Sequence, residues 1–155
     1  MTGTDWEQWY DETLDALEEA VREAPPDWGT DPDGDPWVVV GDRTSTGLEF
    51  PAAFIPEFTK VRSDTESDVS TELQTIQAVI WVIRSQEVKQ QEANLREVIR
   101  LGGQLENHLY SHRTLNRTCS TLIIDEMEPG AGVIDGTAVQ TVSLTLSIIK
   151  TADIH

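Results

Sequence analysis

One cysteine, three lysines and no apolar run approaching the ~20 residues of a membrane span set the first limits on this chain. Cys119 stands alone, so an intrachain disulfide is excluded. Lys60, Lys89 and Lys150 are the only lysines; the other cations are arginines. The N-terminal "MTGTDWEQWYDETL" has neither a basic flank nor an apolar core, so it does not read as a signal peptide. At 155 residues the chain reads as one domain, spanning 1–155. A domain of this size buries roughly 68–70% of its unfolded surface and needs no covalent or metal staple.

What the chain has in excess is acid, with 28 Asp and Glu against 11 Lys and Arg for a net charge of -17. Such a surface repels nucleic-acid phosphates, and no local basic patch reverses it. An acidic binding surface, a solvated tail and adaptation to molar salt all explain the imbalance. The acids run through every segment instead of forming one block, which disfavours a tail. In molar salt, screening removes the self-repulsion.

The first helix is expected over 5–24. Thr4 or Asp5 can cap it, and Thr4 with Glu7 fits a capping box. Trp6, Trp9, Tyr10, Leu14, Leu17 and Val21 form one apolar stripe. Pro25 and Pro26 end it, and 25–36 is an acid-rich loop that lacks the Glu of a calcium loop. "WVVVG", Trp37 to Gly41, reads as a short strand. "FPAAFIPEFTKVRSD", Phe50 to Asp64, is broken by Pro51 and Pro56, so an edge strand or a projecting arm over 43–71 is expected.

"ELQTIQAVIWVIRSQ", Glu72 to Gln86, is the longest strand candidate. Both of its faces become apolar toward the end, which predicts cover on both sides there. A second helix is expected over 86–112, with Val88, Leu95, Val98, Ile99, Leu105 and Leu109 buried. Gly102 and Gly103 inside it cost ~1 kcal/mol each relative to alanine, which points to a close neighbour or a kink. A C-terminal hairpin over 118–151 follows, its strands joined by a glycine-rich loop, Glu128 to Thr137. The last strand alternates Val142, Leu144, Leu146 and Ile148 with Thr141, Ser143, Thr145 and Ser147. The expected fold is α+β: an antiparallel or mixed sheet of about four strands, two helices on one face, and a protruding arm. The hydroxyl-bearing face is left wet or covered by another copy.

Little in the chain suggests chemistry. His108 and His112, four apart, could bind zinc with Cys119, but "HLYSH" lacks the Glu of HExxH and no fourth ligand is evident. Polar residues at a helix C-terminus are the plainer reading, where a protonated His is favoured by the dipole. Cys119 reads as a buried, inert thiol. No nucleophile elbow, phosphate loop or dinucleotide fingerprint appears. The expectation is a non-enzymatic protein without catalytic, cofactor or metal residues. An aromatic arm and an uncovered sheet face suit a protein that meets copies of itself.

The order of these segments resembles the tail terminator proteins of long-tailed, siphovirus- or myovirus-like viruses. The resemblance runs through the N-terminal helix, "WVVVG", "FPAAFIPEF", "TIQAVIWVIRS", "NLREVIRLGGQLENHL", "TLNRT" and "TVSLTLSIIK". It covers nearly the whole chain as a similarity of pattern, without one specific motif. The acidity departs from ordinary relatives and fits a haloarchaeal tailed virus.

The resemblance implies a homo-oligomeric ring, typically a hexamer, that caps the head-proximal end of the tail tube. Such a ring ends tube polymerisation and joins tail to head, in a virion assembled in the host cytoplasm. Its implied partners are itself, the tail tube protein and the head-tail connector or stopper protein. DNA passes through an acidic lumen without specific binding, and no membrane or cofactor is involved. Subunit or tube contacts are expected at Phe50, Phe54, Ile55, Phe58, Gly130, Gly132, Val133 and Ile134. Arg43, Lys60 and Arg62 would bridge to a neighbour's acids. A neck or head-completion (stopper) protein is the near alternative. A monomeric halophilic ligand-binding or enzymatic domain, with the sheet face as its pocket floor, is the alternative of another class.

Overall fold

The computed structural model describes residues 6–40, 49–55, 60–64, 71–85, 91–115, 117–134 and 136–153. The capping candidates Thr4 and Asp5 lie outside these residues, as does the start expected for the second helix. The chain is α+β, with two helices and one mixed sheet.

Helix α1 spans Trp6–Arg22. Trp9, Leu17 and Val21 are buried, with Tyr10 and Leu14 packed partly against them. The acid-rich loop closes on itself: Asp31 Oδ1 accepts from the backbone N–H groups of Asp33 and Asp35, at 2.9 and 3.0 Å. Gly34, at φ +87°, supplies the left-handed residue that closure needs. The acid-rich loop expected over 25–36 contains a turn closed by its own backbone and Asp31.

Strands β1 (Val38–Val40), β2 (Ala52–Ile55), β3 (Lys60–Asp64) and β4 (Thr71–Ser85) follow. Helix α2 (Gln91–Tyr110) then leads to β5 (Thr121–Ile134) and β6 (Thr137–Asp153). The sheet order is β1-β2-β4-β6-β5, and β3 shares with β2 the same side of β4. Six strands replace the expected four or so, because the segment expected to project is folded into the sheet. β2 is an interior strand, parallel to β1 and antiparallel to β4. Pro51 and Pro56 bracket it instead of interrupting it, so no ladder donor is lost from its middle.

The frame of the sheet is β4 against β6, paired from Thr71↔Asp153 to Ser85↔Val139. Paired residues project to the same side. Ile76, Ala78, Ile80 and Val82 therefore join Val142, Leu144, Leu146 and Ile148 beneath the helices, all fully buried. Thr75, Gln77, Val79, Trp81 and Ile83 share the opposite face with Thr141, Ser143, Thr145, Ser147 and Ile149. At one end of that face Ile83, Phe54 and Val139 form a second small core. The end of β4 is thus covered on both sides, as its sequence predicts.

The glycine-rich segment is strand, not loop. β5 continues through Gly130 and Gly132 to pair Ile134 with Thr137, leaving two residues, Asp-Gly, between the arms of the hairpin. Gly136 sits at φ +78°, as the preferred two-residue hairpin turns require. Pro129 is tolerated because β5 is an edge strand.

On α2, Val98, Leu101, Leu105 and Leu109 face the sheet. Leu95 and Ile99, expected in that stripe, are instead 37% and 39% exposed. The two glycines have different reasons. A Cβ on Gly102 would come within 2.8 Å of Val142 Cγ1 and 3.0 Å of Met127 Sδ, whereas one on Gly103 would meet nothing within 4 Å. Only Gly102 serves the close approach of helix to sheet. Gly102→Ala should therefore lower stability by about 1–3 kcal/mol, as overpacking does. Gly103→Ala should raise it by about 1 kcal/mol. Denaturant unfolding of both variants in multimolar salt checks the opposite signs.

Candidate interaction surface

The face opposite the helices carries the hydroxyl row that the alternation in β6 predicts. Neither helix packs on it. Within it Ser147 Oγ donates to Asp125 Oδ2 at 2.6 Å. Asp125 is the extra residue of a bulge, since Ile124 pairs with Leu146 and Glu126 with Thr145. The bulge turns Asp125 toward the open side, beside Glu126 and Glu128. Ile123, paired with Ser147, is 38% exposed on the same side. A shallow cavity of about 240 Å³ lies between Trp81, Thr141 and Ser143 on one flank and Glu128 to Ala131 on the other.

Two of the sheet's outer strands, β1 and β5, are blunted, while β3 pairs on one side, with β4. At β1 the Arg22 guanidinium donates to the Pro36 and Val38 carbonyls, 3.0 Å each, and pairs with Glu18 at 2.9 Å. Those carbonyls would otherwise offer a template for another strand. At β5 the bulge, Pro129 and three carboxylates do the same work.

The expected contact residues scatter. Phe54 and Ile55 are 4% and 0% exposed, consumed by the protomer's own cores. They are not available to a neighbour as an arm's side chains would be. The reason is pattern: "AAFI" has no polar residue to leave outside, so all four positions of β2 are buried. Phe50 packs partly against the small core. Lys60 and Arg62 lie on β3, with Lys60 opposite Gln77. Arg43 and Phe58 lie outside the described residues. Gly130, Gly132 and Ile134 lie in β5 opposite Thr141, Val139 and Thr137, with Ile134 against the small core. Val133, near the hairpin tip, is 71% exposed. Of the expected contact residues whose burial is described, Gly132 and Val133 are exposed and Phe50, Gly130 and Ile134 are half-buried.

Leu95 and Ile99 were hidden from a sequence reading by a surplus of apolar residues. At about 100° per residue they fall beside the Val98–Leu105 stripe, not in it. The buried Asn94, 1% exposed, occupies a place in the stripe that an apolar residue would mark.

His108, His112 and Cys119 make local contacts around the end of α2. The rings of His108 and His112 lie 4.4 Å apart between centroids, and His112 Nδ1 sits 2.9 Å from the His108 carbonyl oxygen. His112 lies beyond the end of α2, in the turn that follows. Among the described residues no three His, Cys, Asp or Glu side chains converge as metal ligands. Burial and the neighbouring His112 lower the His108 pKa, outweighing the Ala20 backbone and Glu23, which raise it. Desolvation thus defeats the dipole expected to favour its protonation. Cys119 is buried and its thiol contacts the Arg113 carbonyl oxygen at 3.4 Å. Burial pushes its pKa up to about 11, as befits an inert thiol. No protein-family model matches this sequence, and a search of curated proteins finds no relative.

Two outcomes follow. Phe54→Ala should destabilise the fold by about 3–5 kcal/mol, the range for emptying a buried aromatic site, measured by denaturant unfolding. A depressed His108 pKa means that the unfolded chain binds the proton more tightly. The stability that this residue confers is complete above about pH 6.5, the unfolded value, and is lost as pH falls from there through the lower pKa of the folded state. Unfolding of His108→Gln between pH 5 and 8 should show a flatter acid limb than the parent.

Proposed function

We propose that this chain is a structural virion protein of a tailed virus, forming a ring that caps the head-proximal end of the tail tube. The observation that carries the reading is the open sheet face. A sheet with one face under two helices and the other holding Trp81, Val79, Ile123 and a row of hydroxyls suits a subunit that is completed by its neighbours. The order of the elements supports it too. A short N-terminal helix, a long central strand, a helix and a long C-terminal hairpin follow the pattern that resembles the tail terminators.

The mechanism is geometric. A head-to-tail contact that closes by rotation makes a ring. One ring face complements the tube end and the other the head connector, so no further tube ring can add. The acidic surface serves this role twice. It keeps DNA from sticking in the lumen, and in molar salt it carries no penalty of self-repulsion. The proposed setting is accordingly a virus of a haloarchaeal host.

The test is the mass of the protein by light scattering in multimolar salt, alone and mixed with tail tubes, with negative-stain images of the same fractions. A closed particle near six times the 17.3 kDa protomer, or a cap confined to one end of each tube, is expected. A single-protomer mass under both conditions, with bare tube ends, would overturn the reading. Particles assembled without the protein should carry overlong tails. Normal tails beside filled, detached heads would instead assign it to the neck as a stopper.

A further inference from the structure

We propose that the cavity on the open sheet face receives a guanidinium group, the side chain of an arginine carried by a partner protein. This goes beyond the ring reading and does not depend on it. Register, an unmet polar group and local charge point to the same guest.

The register assembles the cavity from two rows of the sheet. Trp81 pairs with Ser143 and Ser143 with Glu128, so the three side chains stand in one row across β4, β6 and β5. In the adjoining row Thr141 lies between Ile83 and Gly130. The result is a cavity of about 240 Å³, walled by Trp81 on one side and by Glu128 and Pro129 on the other, with Thr141 and Ser143 between them. Trp81 packs against the small core, so its wall is preformed.

Thr141 and Ser143 are only 8% and 9% exposed. Ser143 Oγ reaches the Glu128 carbonyl oxygen at a long 3.4 Å. Thr141 Oγ1 has no hydrogen-bond partner among the described residues, although the residue is nine-tenths buried and lines the cavity. A hydroxyl so placed costs free energy until a guest or a water satisfies it. Gly130 keeps it accessible, since a Cβ there would stand 3.1 Å from Thr141 Oγ1. The φ of Gly130 lies outside the left-handed region, so the backbone does not itself call for glycine.

Charge selects the guest. Glu128 is exposed and makes no ion pair among the described residues. Glu126, opposite Thr145, stands one row further along the same side. The strand stretches around the cavity, 73–83, 121–134 and 137–149, contain no lysine or arginine. Arg84 and Lys150, next along β4 and β6, alternate to the helix side, where Lys150 lies over the Trp9 ring. Anions are therefore repelled, and an aromatic wall facing a carboxylate suits a cation. A neutral sugar fits the wall and the hydroxyls but leaves the carboxylate uncompensated. An ammonium is a compact, strongly hydrated charge, whereas a guanidinium is planar, weakly hydrated and rich in donors. It can lie along Trp81 while donating to the Glu128 carboxylate and the Thr141 hydroxyl. At 1 M salt the reach of charge falls to about 3 Å, so such direct contacts decide.

N-acetylargininamide is the probe, titrated into isotopically labelled protein in multimolar potassium chloride and followed by NMR. N-acetyllysinamide, free arginine and methyl glucoside serve as comparisons. Saturable shifts are expected at the Gly130, Thr141 and Ser143 amides and the Trp81 indole, with the lysine analogue and free arginine several-fold weaker and the sugar not bound. Gly130→Ala should abolish binding with the rest of the spectrum unchanged. Glu128→Gln, at an exposed position, should weaken it about tenfold, the loss of one charge-assisted hydrogen bond. The absence of saturable shifts, or full binding by either variant, would overturn the site, and Glu128→Gln decides alone where Gly130→Ala does not fold. Equal binding of the lysine analogue would overturn the guanidinium assignment, and binding of methyl glucoside in place of the arginine analogue would make this a sugar site. Free arginine bound more tightly than its blocked form would overturn the partner protein in favour of the amino acid.

Discussion

The ladder between β4 and β6 is the constraint on which everything else depends. Fifteen consecutive pairs hold two strands in one register, and that register puts eight apolar side chains on the helix side. A slip of one residue would turn them outward and bring the hydroxyl row inward. Because one face must be dry, the other is set by default. The open face and its serines and threonines are a consequence of how the core is buried.

α2 is tied to this frame by the absence of a side chain at Gly102, which lets the helix settle on Val142 and Met127. That approach leaves Leu95 and Ile99, on one flank of the helix, more than a third exposed. α1 is tied less directly, through Trp9, which donates to the Thr118 carbonyl in the link before β5, and through Arg22 at the β1 edge. The same arginine therefore anchors a helix and closes a sheet edge. Blunting of β1 and β5 discourages strand addition at those two strands.

Acidity acts on a different level from the fold. The carboxylates stand on loops, helix surfaces and the outer strand, where they do not touch the packing. The buried titratable groups, His108 and Cys119, are both held toward their neutral forms by desolvation. Core formation here discards charge wherever it can.

Periodicity alone determined α1, the long strand, α2, the final strand and the α+β class. It also determined which alternate positions of β6 are core, because burial on one face imposes a period of two on a strand and 3.6 on a helix. Tertiary structure decided the rest. "AAFI" becomes an interior strand, not an arm, because β1 and β4 offer ladder partners on both sides, and no local signal encodes a parallel partner. Pro129, Gly130 and Gly132 stay in a strand because β5 is an edge, where a missing donor costs nothing. Leu95 and Ile99 are exposed because the helix is held by its glycine flank, and the side chain that a glycine lacks leaves no mark on a hydropathy pattern. Each of these outcomes depends on what lies across a gap in space, which residue order along the chain does not specify.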